Sequence, residues 1–300
     1  MKVFVTGATG VLGRVAVRAL LDDGHDVTGL ARGLDKARLL EDAGVTPACV
    51  HLFDVERLTE TLSGYDAVCN LATHIPVGAA GLRPGAWRVN DRLRTEGSRA
   101  VATAAEAAGV RRLVQESVSF LYTDGGDVWI TETSPLSVTR ALEPAAVAES
   151  NATAFGSASR EAVVLRFGNL VGDEPATRWL LDRARAGRPI GFGAADNWAH
   201  VVHPEDAGSA VAAALHSPGG VYNVGADPVR RAVMLGVIAE TVDRSSVGFL
   251  PRFVVKMAGE RLEPLTRSHR ISSAKLHEAT GWKPAHPVFD QRWVETSAPR

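Results

Sequence analysis

Three glycines near the start of the chain have the spacing of a phosphate-binding turn. Gly7, Gly10 and Gly13 follow a β-branched apolar run, residues 2–6, and precede apolar residues at helical spacing, residues 14–22. The first glycine permits a tight turn, the second lets the backbone approach a pyrophosphate, and the third lets the helix pack close to the strand. The free N–H groups of such a helix end bind phosphates. The contacts predicted from this turn are Gly7, Thr9, Gly10, Val11, Leu12 and Gly13.

The end of the second predicted strand indicates which dinucleotide would bind there. An acidic residue at this position would accept hydrogen bonds from both ribose hydroxyls and favour NAD. The strand ends instead at Leu30, Ala31, Arg32 and Gly33, with no carboxylate and with a guanidinium suited to a 2′-phosphate. The alternative is a solvated surface arginine. The sequence therefore predicts NADP(H) as the cofactor, with Arg32 on its 2′-phosphate.

Hydroxyl and imidazole groups follow two later predicted strands. Ser117, Ser119 and Tyr122 lie at the end of the strand at 112–116, and His74 follows the strand at 67–71. A histidine titrates near neutral pH and can act as acid or base, so His74 is a candidate proton donor beside the three hydroxyls. The alternatives are loop hydroxyls bonded to backbone and a histidine that is structural or only contacts substrate.

The remaining histidines and the cysteines indicate no metal site. His200 and His203 are expected to hold a loop, and no His/Cys/Asp group has metal-ligand spacing, so we predict that no metal is bound. Cys49 and Cys69 both lie in apolar runs that read as strands. We therefore expect both thiols to be buried and reduced.

These residues need a scaffold that brings strand ends together, and the pattern of the chain predicts one. Strand-like and helix-like runs alternate over the first 170 residues, which is typical of a doubly wound parallel sheet with helices on both faces, an α/β fold. The predicted strands are residues 2–6, 25–31, 47–53, 67–71, 112–116 and 161–167. The predicted helices are residues 14–22, 35–43, 56–62, 88–108 and 143–155.

The regular alternation of predicted strands and helices ends after residue 170. Helices are expected at 177–186, 204–216, 230–242 and 273–279, with short strands near 189–192 and 221–224. We predict a nucleotide-binding domain at 1–170 and a smaller C-terminal substrate lobe at 171–300, which closes over the carboxyl edge of the sheet and can interleave with the first domain.

With these features the chain resembles the extended and atypical branch of the short-chain dehydrogenase/reductase superfamily, the NAD(P)-dependent epimerase/dehydratase-like proteins, which have a Rossmann fold. The TGxxGxxG spacing is that branch's form, and further similarities occur at Asn90 and at residues 165–172, 200–206, 222–225 and 275–284. The resemblance implies adenine contacts at Asp54 and Val55. It also implies contacts along the cofactor and at its nicotinamide end by Leu71, Ala72, Thr73, Phe167, Asn169 and Leu170.

The resemblance fails at the residues that carry the family's proton transfer. That chemistry depends on a Tyr-x-x-x-Lys dyad, in which lysine lowers the pKa of the tyrosine. The three tyrosines of this chain, at 65, 122 and 222, are followed four positions later by Cys69, Gly126 and Ala226. Aligning Glu149 with the family's helix glutamate puts Ala141 and Ala145 at the dyad positions. The usual proton donor is absent.

Three explanations remain for a dinucleotide site without this dyad. In the first, another group supplies the proton, from among Ser117, Ser119, Tyr122 and His74. In the second, the reaction needs little acid catalysis, as in reduction of a conjugated double bond, an imine or a quinone-like carbonyl. In the third, the protein binds NADP(H) without turnover, as a sensor does. We predict an NADP(H)-dependent reductase of a small, fairly apolar carbonyl, enone or quinone-like substrate. A nucleotide-sugar epimerase or dehydratase and a non-catalytic sensor are the alternatives.

Composition and charge restrict the classes of partner that we expect. The chain has 300 residues, 45% of them apolar, and a formal net charge of −1, which gives no reason to expect nucleic acid or an anionic membrane as a partner. The first strand begins at once, and no apolar run is long enough for a membrane span, so a cytoplasmic protein is expected. The residues predicted to line an apolar pocket in the second lobe are Trp179, Trp198, Phe249, Phe253 and Met257. The Ala-rich stretch 141–154 predicts close helix packing, either in a homodimer or within the monomer.

Overall fold

A computed structural model describes residues 1–295, without the side chains of residues 252, 254, 258 and 261. The last five residues of the predicted second lobe lie outside the described residues. Seven parallel strands form the central sheet, in the order β10-β6-β5-β4-β1-β2-β3. These strands are β1 (Lys2–Thr6), β2 (Asp26–Leu30), β3 (Thr46–Ala48), β4 (Ala67–Asn70), β5 (Arg112–Val118), β6 (Glu161–Phe167) and β10 (Gly220–Val224). The predicted α/β fold is confirmed.

Short strands and helices complete the described chain. Two two-stranded sheets pair β7 (Asn169–Leu170) with β9 (Val201–Val202) and β8 (Trp198–Ala199) with β11 (Val229–Arg230). The α-helices are α1 (Val11–Asp22), α2 (Leu34–Glu41), α3 (Val55–Leu62), α4 (Arg88–Arg92), α5 (Ser98–Ala107), α6 (Glu143–Phe155), α7 (Pro175–Arg185), α8 (Pro204–Ala214), α9 (Arg231–Thr241), α10 (Arg252–Ala258), α11 (Ala274–Thr280) and α12 (Arg292–Glu295).

Two apolar layers hold the helices against the two faces of the sheet. On one face, Val3 and Val5 of β1 pack in a cluster with α1 and α8. On the other, Phe4 and Val68 pack in a cluster with α3, α5 and α6. This alternation of neighbouring residues between faces is the period of a strand buried on both sides.

The part of the chain after residue 170 contributes to both the sheet and a separate core. β10 extends the sheet beside β6, and α8 packs so closely on α1 that a Cβ on Gly208 would lie 2.5 Å from the Val15 carbonyl oxygen. A third apolar cluster includes Leu181, Leu235 and Trp293. The later segment therefore contributes to the sheet and also forms a core of its own. The division at residue 170 stays a prediction.

Three predicted elements differ from the structure. The strand expected at 47–53 ends at Ala48, because Pro47 lacks an N–H and the chain then leaves this edge strand. The helix expected at 88–108 is interrupted by a π-helical turn at Leu93–Gly97. No strand forms at 189–192, where the chain makes only a single bridge between Gly191 and Phe249.

Candidate functional site

The carboxyl ends of the sheet strands open into one large cleft. Its volume is about 1460 Å³, and its wall includes the last residues of the strands or those just after them, such as Thr6, Leu30, Leu71, Val118 and Phe167. In a doubly wound sheet, the loops separate at this edge and leave room for a ligand. The predicted phosphate turn lies in the middle of the cleft.

The phosphate turn has the geometry that its glycines predict. Gly7 has φ +69°, and a Cβ there would lie 2.6 Å from the Leu71 carbonyl oxygen. A Cβ on Gly13 would overlap the carbonyl oxygen of Gly7. Gly10 is exposed and lines the cleft, and a Cβ built on it would have only that oxygen within 4 Å, at 3.1 Å. No side chain caps α1, so its first N–H groups remain available to an anion. This cradle fits a dinucleotide pyrophosphate.

Two basic residues line the cleft at the end of β2. Arg32 lies there as predicted, and Lys36 of α2 lines the same wall one helical turn later. Sequence reasoning missed Lys36, although it follows Arg32 by only four residues, near the start of the helix predicted at 35–43. Acidic residues do not occur among the described lining residues between 30 and 53.

The segment after β3 forms the rest of this wall. Cys49 is exposed and lines the cleft with His51, so the prediction of two buried thiols is wrong for Cys49. The chain leaves the sheet here and the thiol faces the cleft. Cys69, in the central strand β4, is buried as predicted, and burial raises the pKa of its thiol to about 12.

Neither predicted adenine contact, Asp54 or Val55, is among the described residues that line the cleft, although the preceding Phe53 is. Phe53 lines the cleft, with the Arg92 guanidinium 4.1 Å from its ring centroid. Asp54 is outside the described lining; its carboxylate caps α3 by accepting a hydrogen bond from the Arg57 N–H. Val55 lines a small neighbouring cavity of about 280 Å³.

The cofactor contacts implied for the later strand ends all line the cleft. They are Leu71, Ala72, Thr73, Phe167, Asn169 and Leu170. His74 follows on the same loop, and its backbone N–H donates to the Asn90 side-chain oxygen at 3.1 Å. Asn90 is buried in α4, so it anchors the loop after β4 to that helix.

The three hydroxyls predicted as proton donors lie behind the cleft wall. Ser117 donates to Glu149 at 2.5 Å, Ser119 pairs with the His200 ring at 3.0 Å, and Tyr122 donates to Asn223 at 2.8 Å. All three are buried, and burial raises the pKa of Tyr122. Since none of them is among the described lining residues, His74 is the one predicted donor that faces the cleft.

Residues between these hydroxyls face the cleft instead. Val118 and Phe120 line it together with the buried carboxylate of Glu116. The Arg94 guanidinium, also buried, donates to one Glu116 oxygen at 2.6 Å. Sequence reasoning missed this ion pair. A glutamate inside an apolar strand was the signal, but its partner comes from the π-helical turn.

A second buried ion pair lies under the same end of the cleft. Arg166 of β6 makes two hydrogen bonds to Glu149 of α6, at 2.8 and 2.6 Å, and Ser117 adds a third. Burial opposes the charge on Arg166, but the bonds to Glu149 outweigh it and raise the pKa of the guanidinium. Ala145, at one of the aligned dyad positions, is buried in α6.

The five residues expected to form an apolar pocket in the second lobe are not among the described residues that line the cleft. Trp179 packs against Gly78, and Phe253 and Met257 are exposed. The apolar wall comes instead from Ile75, Val77, Val118 and Phe120. Ile75 and Val77 belong to the loop after β4, Val118 ends β5, and Phe120 lies in the turn that follows β5.

The later histidines lie outside the described cleft wall. His200 is buried, and burial lowers its pKa to about 3. His203, Asp206 and His286 come together with their ligand atoms within 4.8 Å of one another, a grouping that sequence spacing does not reveal. The Asp206 carboxylate accepts hydrogen bonds from the backbone N–H groups of Ala285 and His286, which ties α8 to the C-terminal segment.

Comparison with known proteins agrees with this architecture. Residues 3–225 match the NAD dependent epimerase/dehydratase family. A Streptomyces protein, "3-diazoavenalumate denitrifying reductase", is 33% identical over 96% of this chain and 98% of its own length.

Two solved structures show the same fold. Human epimerase family protein SDR39U1 with NADPH has a TM-score of 0.78 at 20% identity, covering 99% of this chain and 98% of that one. Thermus thermophilus UDP-glucose 4-epimerase with NAD has a TM-score of 0.76 at 24% identity, covering 99% and 97%. Within residues 1–295, no helix is both long enough and apolar enough to cross a membrane.

Proposed function

This chain belongs to the NAD dependent epimerase/dehydratase family, and we propose that it is an NADP(H)-dependent reductase of a small, fairly apolar acceptor. The observation that carries the proposal is the contrast within one cleft. The cradle for a dinucleotide is complete, whereas the hydroxyls at the reaction end are buried and already bonded. An epimerase or dehydratase first oxidises an alcohol and needs a base there, so this arrangement favours reduction.

Arg32 and Lys36 support NADP(H) over NAD(H). Both line the cleft at the end of β2, where the described wall from residue 30 to 53 offers no carboxylate to ribose hydroxyls. A 2′-phosphate would receive a bidentate guanidinium from Arg32 and a point charge from Lys36.

The reaction end suits acceptors that need no enzyme-borne proton. When bound, the reduced nicotinamide supplies a hydride. Ile75, Val77 and Phe120 offer the acceptor an apolar wall, and His74, which lines the same cleft, would donate a proton where a carbonyl, enone or quinone requires one.

Diazo compounds extend the acceptor class. The Streptomyces relative is named as a denitrifying reductase of a diazo compound. An arenediazonium ion that gains a hydride at its ring carbon becomes the arene and releases N₂, which leaves with the electron pair of the broken C–N bond. This replacement consumes no proton. The sequence's lack of a Tyr-x-x-x-Lys dyad is compatible with such a reaction.

The test begins with cofactor binding. NADPH and NADH are titrated against the protein and followed by the fluorescence of the bound nicotinamide. We expect Arg32→Ala and Lys36→Ala each to weaken NADPH about 10-fold or more, with little change for NADH. Arg18→Ala, an exposed arginine of α1 outside the cleft wall, is the matched control. Equal wild-type affinity for both cofactors would refute the assignment of NADP(H).

Turnover is then measured as loss of NADPH absorbance with enones, quinones, ketones and arenediazonium ions, against enzyme-free blanks. We expect reduction within this panel, and His74→Ala should slow carbonyl and quinone substrates more than diazonium ions. Tight NADPH binding without turnover on the whole panel would contradict the reductase and indicate a sensor.

A further inference from the structure

Two imidazoles and a buried carboxylate come together at the start of α8. They belong to His203, which precedes α8, to Asp206 in its first turn, and to His286 in the segment after α11. One ligand atom from each side chain lies within 4.8 Å of the other two. We propose that these three side chains bind a divalent transition-metal ion such as Zn²⁺. The site is separate from the described cleft wall and independent of the reductase function.

The carboxylate is held in a fixed orientation by the backbone of the C-terminal segment. Asp206 is 1% exposed, and its two oxygens accept hydrogen bonds from the N–H groups of Ala285, at 2.7 Å, and His286, at 3.0 Å. A carboxylate has about four lone-pair positions, so each oxygen keeps one for a further partner. Hydrogen bonds of this kind orient the carboxylates that bind metals.

The His286 ring and this carboxylate already have the separation of two metal ligands. The Nδ1 atom of His286 lies 3.2 Å from Oδ2 of Asp206. Ligand atoms on a tetrahedral Zn²⁺ are about 3.3 Å apart, since each lies about 2.0–2.1 Å from the ion. An ion that replaces the proton between these two atoms would therefore need little movement of either.

The His203 ring supplies a nitrogen that lacks a partner. Its Nδ1 atom is buried and makes no hydrogen bond to any described residue. His203 occupies the N-cap position of α8, but its side chain makes no capping hydrogen bond either. A buried polar atom without a partner costs stability, and coordination to an ion would satisfy it.

Stacking brings the two imidazoles to the same place. The ring centroids of His203 and His286 are 4.0 Å apart, and the ring planes are inclined by 35°. Two imidazoles on one tetrahedral ion have centroids about 5 Å apart, so the rings must open slightly. Trp293 packs edge-on against both rings, whereas the His286 side chain is 33% exposed and has room to tilt toward solvent.

The donor set determines the class of ion. Two imidazole nitrogens and one carboxylate oxygen suit Zn²⁺ and related transition metals, whereas Mg²⁺ and Ca²⁺ take oxygen ligands. With Nδ1 of His286 on the ion, the ring proton lies on Nε2, which is 3.8 Å from the exposed Glu205 carboxylate. A carboxylate near the outer nitrogen favours this form of a metal-bound imidazole. Water would fill the fourth position.

Spacing along the chain conceals this grouping. His203 and Asp206 are close in sequence, but His286 comes 80 residues after Asp206. The expectation that no metal is bound considered only ligands near one another in the chain. An ion held by these residues would fasten the C-terminal segment to the start of α8 and stabilise the folded protein.

The experiment measures metal binding by the tag-free protein after treatment with a chelator. Zn²⁺ alone is titrated calorimetrically, and Co²⁺ is titrated in parallel because its visible absorption reports the number and type of ligands. We expect one equivalent to bind, and His203→Gln and His286→Gln each to weaken Zn²⁺ about 100-fold or more. His216→Gln, at an exposed histidine beyond the end of α8, is the matched control and should bind like the wild type.

Thermal unfolding and cofactor binding separate loss of the site from loss of the fold. Zn²⁺ should raise the Tm of the wild type and of His216→Gln but not that of His286→Gln, and NADPH binding identifies the variants that are folded. If a variant does not fold, ring-proton NMR of the wild type decides, because one equivalent of Zn²⁺ should shift the signals of two of its nine histidines.

Three results would overturn the metal site and leave the reductase untouched. They are the absence of saturable Zn²⁺ and Co²⁺ binding by the wild type, equal Zn²⁺ affinity in the wild type and both ring variants, and unchanged histidine signals on addition of Zn²⁺.

Discussion

The two ends of the cleft are built in different ways. The phosphate end is a single stretch of seven residues, from Gly7 to Gly13, whose shape depends on backbone atoms in contact. The reaction end combines loops after β4, β5 and β6 with α4, and buried ion pairs from distant positions support it. The phosphate end therefore has no room for a Cβ at Gly7 or Gly13, whereas the reaction end depends on buried charges that remain paired.

Loss of Glu149 should be the most damaging change at the reaction end. Its carboxylate accepts three hydrogen bonds, two from Arg166 and one from Ser117, and the Glu149→Ala variant would leave a buried guanidinium unpaired. We expect the free energy of unfolding to fall by about 3–5 kcal/mol. Urea unfolding at pH 7 measures it.

A paired substitution separates charge from packing at this site. Glu149→Leu combined with Arg166→Met removes both charges and keeps most of the volume, so it should recover much of the lost stability. If Glu149→Ala lowers the free energy of unfolding by less than about 1 kcal/mol, the buried ion pair does not stabilise the reaction end.

Gly13→Ala is the corresponding test of the phosphate end. The new Cβ would overlap the Gly7 carbonyl oxygen and lie 2.8 Å from the Ala8 backbone, so the turn must shift. We expect a loss of about 2–3 kcal/mol in unfolding free energy and weaker NADPH binding. Thermal unfolding and the fluorescence titration measure both.

Gly236→Ala is the control for this change. Gly236 lies in α9, and a Cβ there meets no atom within 4 Å, so alanine should stabilise the helix by about 0.5–1 kcal/mol. If both alanine variants changed the unfolding free energy by the same amount, the phosphate turn would have room for a Cβ at Gly13, contrary to its backbone contacts.

The same contrast explains how much of the molecule the sequence predicts. The turn at Gly7, Gly10 and Gly13 and the parallel strands are local patterns, and the structure has them where they were expected. The strand at 47–53 was wrong because an apolar run does not show where an edge strand leaves the sheet. Cys49 faces the cleft for that reason.

Prediction of the reaction end needed long-range contacts, which no local sequence pattern reveals. Ser117 lies within β5, which extends two residues beyond its predicted end, and Ser119 and Tyr122 follow it. Which of these residues face the cleft depends on the alternation of side chains along the chain and on their partners Glu149, His200 and Asn223. The partners lie 32 to 101 positions away along the chain.

Acid should weaken the reaction end through two buried histidines. Burial lowers the pKa of His200 to about 3 and that of His269 to about 4, from 6.5. The unfolded chain takes up these protons below pH 6.5 and the folded chain does not, so stability present above pH 6.5 is lost as pH falls toward 4. Each histidine should contribute about 1 kcal/mol per pH unit over that window.

Urea unfolding between pH 7 and 4.5 measures this slope. His200→Gln should make it shallower by one histidine's share, because the glutamine takes up no proton and its amide can still bond Ser119. His51→Gln, at an exposed residue of the cleft wall after β3, should leave the slope unchanged. If the slope is the same in all three proteins, the acid sensitivity comes from carboxylates elsewhere. The two ends of the cleft would then differ in packing and ion pairing but share one response to pH.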